Sequence, residues 1–88
     1  MFRMWGKIFK DNHLLQDTVS ARSEDDTRTH KVFAALSDIC NELDLEHPQW
    51  LDKNIADFKR VSRTRFTQDN FIKTIPFDYL EIHVIEED

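Results

Sequence analysis

The sequence predicts a small α+β domain, an antiparallel sheet of about three strands in the order ββααβ with its helices packed on one face. Three observations carry that expectation. Apolar residues alternate in a period of two near both ends of the chain, and between them they recur every three and four positions. With 88 residues, 40% apolar and 11% aromatic, there is material for one hydrophobic core, so residues 1–88 are read as a single globular domain. One glycine and two prolines argue against linkers or low complexity.

Residues 2–10 place Met4 and Ile8 on one strand face and Trp5 and Phe9 on the other, around Lys7. Asp11, Asn12 and His13 are turn formers, and residues 14–20 resume an extended pattern with Leu15 and Val19 on one face, so a β-hairpin is expected. Gly6 marks a bulge or a close approach within the first strand. Residues 22–26 form a polar connector. A helix then opens at Asp26 or Thr27, both good caps, and runs to about Leu43. Val32, Phe33, Leu36, Ile39, Cys40 and Leu43 make its apolar stripe, which is expected to dock on the hairpin.

Pro48 and the residues before it break that helix. Leu51, Ile55, Phe58 and Val61 predict a second helix over 51–61, with Pro48 or Asp52 near its start. Residues 62–74 lack a clean period and read as mostly irregular, with one short helical turn opening at 67–70. The last strand is expected over 75–86, with Leu80, Ile82 and Val84 on one face and Phe77, Tyr79, Glu81, His83 and Ile85 on the other. That second face is itself partly apolar, so a helix or a second subunit is expected to cover it.

The net charge of −5 opposes non-specific attraction to nucleic acid or to an anionic membrane. The charges are segregated. Lys53, Lys59, Arg60, Arg63 and Arg65 cluster beside Asp52 and Asp57, whereas Glu86, Glu87 and Asp88 form a purely acidic tail. Cys40 is the only cysteine, which excludes an internal disulfide framework and points to a reducing, cytoplasmic setting. No segment has the length of a membrane span, and the first ten residues lack the apolar run of a signal peptide, so no membrane role is expected.

Residues 58–66 interleave aromatics, hydroxyls and cations as phosphate contact and base stacking require. On that reading Lys59, Arg60, Arg63 and Arg65 hold a phosphate or nucleic acid, assisted by Phe66. The plainer reading pairs those cations with the protein's own acidic strand and tail, with Phe58 and Phe66 in the core. Glu81 and His83 share a strand face and suit acid–base work if they line a cleft, and otherwise form a polar surface pair. The four histidines lack metal-ligand spacing, and Asp26 with His30 is explained by a helix cap, so neither metal nor cofactor is expected. Cys40 lies on the apolar stripe and reads as a buried small hydrophobe. A single glycine excludes Gly-rich phosphate loops, and GxSxG and Walker patterns are absent. Trp5 and Trp50 are either interface anchors or closures at the ends of the core, and Phe77, Tyr79 and Ile85 offer an adhesive strand face.

The segments MWGKIFKDNHLL, DDTRTHKVF, TRFTQDNF and FDYLEIHVIEED together resemble a group of short, uncharacterised bacterial proteins over nearly the whole chain. The resemblance implies a bacterial cytosolic protein and carries no activity, cofactor or residue role. The function expected is a small non-enzymatic protein-binding or regulatory module. A protein partner stands ahead of nucleic acid, and a homo-oligomer is the form in which the chain itself is the partner.

Overall fold

The computed structural model describes residues 1–87, and Asp88 of the acidic tail lies outside the described residues. Strands β1 (Phe2–Lys10) and β2 (His13–Arg22) precede helices α1 (Arg28–Glu42) and α2 (Asp52–Val61). A short strand β3 (Arg63–Phe66), one 3-10 turn (Gln68–Asn70) and strand β4 (Tyr79–Glu86) complete the chain. All strand pairs are antiparallel and the order across the sheet is β2-β1-β4-β3, so the first and last strands are the central pair. Buried residues of both helices join Met4, Ile8, Phe66, Leu80, Ile82 and Val84 in one core on one side of the sheet.

Two features of the hairpin and α1 follow directly from residue type. Asp11 and Asn12, the two loop residues, both have positive φ (52° and 65°), as a two-residue turn between right-twisted strands requires. The helix begins at the Thr27 cap, whose hydroxyl accepts the His30 amide at 3.2 Å. It ends where Asp44 turns to φ 57° and the Leu45 amide donates to the Cys40 carbonyl at 2.8 Å, which satisfies a carbonyl the helix would otherwise leave open.

The α1 stripe docks on the hairpin as expected, and Gly6 lets it come close. A Cβ at Gly6 would sit 2.4 Å from Ile39 Cγ2, so close packing is the reason for glycine here. Asp38 adds a polar clasp, accepting from Ser20 Oγ at 2.7 Å and from Arg22 Nε and Nη2 at 2.8 Å each. Those guanidinium bonds hold the Asp38 carboxyl below the usual carboxylate range. Phe33 departs from the stripe. It is 51% exposed, because the surface it faces is the gap beside α2 and not the sheet.

The sheet has four strands, not three, giving ββααββ. Strand β3 falls in the stretch expected to be irregular, because its period of two lasts only four residues, with Thr64 and Phe66 buried and Arg63 and Arg65 exposed. Strand β4 starts at Tyr79, later than residue 75. Pro76 has no amide for a ladder, and Phe77 leaves the alternation to pack edge-on against Phe71 in the core, 6.1 Å between ring centroids. The Asp78 amide donates to the Phe9 carbonyl at 2.9 Å, which docks this segment on the hairpin.

A buried polar network fixes β3 to α2. Asn54, fully buried, donates through Nδ2 to Thr64 Oγ1 and to the Arg65 carbonyl, each at 2.9 Å, while its Oδ1 accepts the Leu51 amide at 3.0 Å. Asn70 Nδ2 donates to Asn54 Oδ1 at 2.8 Å and to the Gln49 carbonyl at 2.7 Å. Asparagines buried in this way are stable only because nearly every donor and acceptor is used.

A candidate binding face on the open side of the sheet

The side of the sheet opposite the helices carries the alternate residues of every strand. Strand register places Trp5 opposite Val19 and His83, Lys7 opposite Asp17 and Glu81, and Phe9 opposite Tyr79. From the other edge, Arg63 lies opposite His83 and Arg65 opposite Glu81. Asp17, Lys7, Glu81 and Arg65 therefore form one row of alternating charge across four strands. Cross-strand neighbours of opposite charge attract, and aromatic pairs add to the sheet's stability.

Glu81 is the hub. Its carboxylate binds Lys7 Nζ at 3.0 Å and Arg65 Nε at 3.1 Å. Both cations also cover aromatic rings, with Lys7 Nζ 4.0 Å from the Trp5 ring centroid and the Arg65 guanidinium 4.5 Å from that of Tyr79. Phe9 and Tyr79 stack at 5.2 Å and 28°, and Trp5 Nε1 donates to Asp17 Oδ2 at 2.9 Å. These side chains shield Glu81 to 7% exposure with no helix above it. Burial alone would raise the Glu81 pKa, but the hydrogen bonds from Lys7 and Arg65 outweigh it and hold the carboxyl below its ordinary value. A carboxylate so engaged is a weak base, and His83, two residues on along the same strand face, makes no ion pair with it among the described residues. This arrangement gives the acid–base reading of Glu81 and His83 no support.

The structure divides the residues proposed from sequence. Tyr79 joins the open face, while Ile85 is the extra residue where the β1–β4 register shifts and is exposed near the strand end. Phe77 is buried, so it forms no part of an adhesive surface. Phe66 is completely buried against Trp50 and is unavailable to stack on a base, because β3 turns it toward the core. The plainer reading of the basic segment holds for that phenylalanine and for Arg65, which pairs with Glu81.

Arg60, Arg63 and Arg65 do converge. With Lys53 they line an open groove of about 410 Å³ between α2 and β3, which Asp57 and Glu81 also line. Lys59 faces elsewhere, toward the gap between the helices. Lys7 and Phe9 are absent from the sequence-based site, and Trp5 enters the sequence reading only as a candidate interface anchor, although the spacing Trp5-x-Lys7-x-Phe9 already sets all three on one strand face. No group of three His, Cys, Asp or Glu side chains gathers among the described residues, and the Asp26–His30 contact at 3.0 Å sits at the α1 cap. No described helix is long and apolar enough to cross a membrane.

No family model matches the chain, and no curated protein or solved structure matches it.

Proposed function

We propose that this chain is a non-enzymatic protein-binding module whose contact surface is the open face of the sheet. One observation carries the reading: Trp5, Phe9 and Tyr79 lie on an uncovered face with Lys7 and Arg65 already stacked on them. Tryptophan, tyrosine and arginine are the side chains that dominate protein interfaces. Their mutual contacts fix the rotamers beforehand, so a partner orders little more on docking. We assign the module to the cytosol on its lone Cys40.

The chain itself is one such partner. Leu14, Leu15 and Val19 are all about half exposed on β2, an edge strand with backbone groups open to another strand. Sedimentation over a wide concentration range tests this form, and a monomer at every concentration removes it. For the module as a whole, the test is capture from native cytosol with the wild-type chain and with Tyr79→Ala and Arg65→Ala. A partner lost with both substitutions supports the face, whereas a partner retained by both sinks it.

A second reading rests on the groove of Lys53, Arg60, Arg63 and Arg65, where four cations meet two acids. Phosphate recognition there would weaken steeply with salt. Titrating mixed single-stranded and duplex nucleic acid at low and high salt checks it, with Arg63→Gln as the informative variant. Arg63 is exposed and makes no ion pair among the described residues, so its loss leaves the fold intact.

A further inference from the structure

On the helical side, away from the open face, a cleft of about 320 Å³ runs between α1 and α2. Val32, Phe33, Trp50, Ile55 and Phe58 wall it, and the exposed cations Arg28 and Lys59 line its rim. We propose that this cleft binds a small aromatic carboxylate. Three observations converge on that ligand.

The first is shape. Trp50 meets Phe33 at 5.9 Å and 84° and Phe58 at 5.6 Å and 86°, so the walls present ring edges and faces at right angles. A planar ring entering between them makes the edge-to-face contacts aromatic groups favour. The second is size, since about 320 Å³ lies at the small end of ligand sites and suits one or two fused rings. Phe33 and Ile55 meanwhile leave apolar surface open to water.

The third is charge. No acidic side chain lines the cleft, although the chain as a whole carries −5. Arg28 is held over Phe58 at 5.3 Å by Glu87 at 2.7 Å and Ser62 at 2.9 Å, while Lys59 makes no ion pair among the described residues. The free ammonium at the rim of a cleft without acids selects an anion, and a carboxylate suits a single donor, whereas a phosphate calls for more.

The probe is 2-naphthoate, titrated into the full chain while the indole N–H resonances are followed by NMR. Trp5, committed to Asp17 on the opposite side of the sheet, is the internal control. We expect a saturable shift of the Trp50 indole N–H with Trp5 unmoved. Neutral 2-naphthamide binds about tenfold more weakly, Lys59→Gln weakens naphthoate about threefold, and Phe33→Ala weakens both compounds. Lys59 and Phe33 are exposed, so both variants fold, which circular dichroism verifies. No saturable Trp50 shift at millimolar naphthoate overturns the proposal. Equal affinity for the amide, or no effect of Lys59→Gln, also overturns it and makes the cleft a groove for an apolar side chain of a partner.

Discussion

The two faces of the sheet are built from the same strands and are held by different forces. On the helical face Met4, Ile8, Leu80 and Ile82 are excluded from water by α1, α2 and one another, and their contribution is burial of apolar area. On the open face Trp5, Lys7, Phe9, Tyr79 and Glu81 shelter one another through ion pairs and ring contacts, with no layer above. The first arrangement gives most of the stability, and any change of volume disturbs it. The second contributes little to stability for its size, which leaves it free to be a contact surface.

Substitutions of unequal effect can break this contrast. Leu80→Ala, at a fully buried position in the central strand, should lower unfolding free energy by about 3 kcal/mol in chemical denaturation. Asn54→Ala should lower it by about 2 kcal/mol, because the Leu51 amide, the Arg65 carbonyl and one N–H of the Asn70 side chain all lose their Asn54 partner. Gly6→Ala should lower it by about 1.5 kcal/mol, since Ile39 is fully buried and α1 must shift to admit the methyl group. A Leu80→Ala loss under 1 kcal/mol would mean the helical face is not the main source of stability.

Glu81→Gln probes the open face and should have the smallest effect, about 1 kcal/mol near neutral pH, because Lys7 and Arg65 can turn toward water. Its pH dependence is the sharper measurement. The folded Glu81 titrates below its ordinary value near 4.5, so its stabilisation is complete above that pH and is lost as pH falls through the lowered value. The difference between wild type and Glu81→Gln should therefore shrink toward zero in acid. A constant difference would show that the carboxylate charge is not what the open face uses.

Wherever a periodic pattern was long, the sequence disclosed the element. The nine alternating residues of β1, the cap and stripe of α1, and the buried Leu80-Ile82-Val84 row all stand where local pattern puts them. Strand β3 escaped because four residues show too few alternations to separate from noise. The open face was half legible for a different reason. Trp5, Lys7 and Phe9 can be assigned to a face of one strand, and Tyr79, Glu81 and His83 to a face of another. Their meeting depends on a pairing register between residues seventy or more positions apart in sequence, which no local window contains. The basic stretch 58–66 misled for a related reason. A helix end and a strand divide it, sending Phe66 inward, Arg65 to Glu81, Arg63 and Arg60 to the α2–β3 groove and Lys59 to the helical cleft.

Cys40 gives the molecule a built-in clock. The thiol is sealed beneath α1, and burial pushes its pKa up to about 11, so little of the reactive thiolate is present at neutral pH. A maleimide can reach it only when α1 lifts from the sheet or the whole chain opens. With no second cysteine to confuse the signal, the labelling rate counts those openings. Comparing that rate in Leu80→Ala and Glu81→Gln would show whether losing contacts on one side of the sheet loosens the helix on the other.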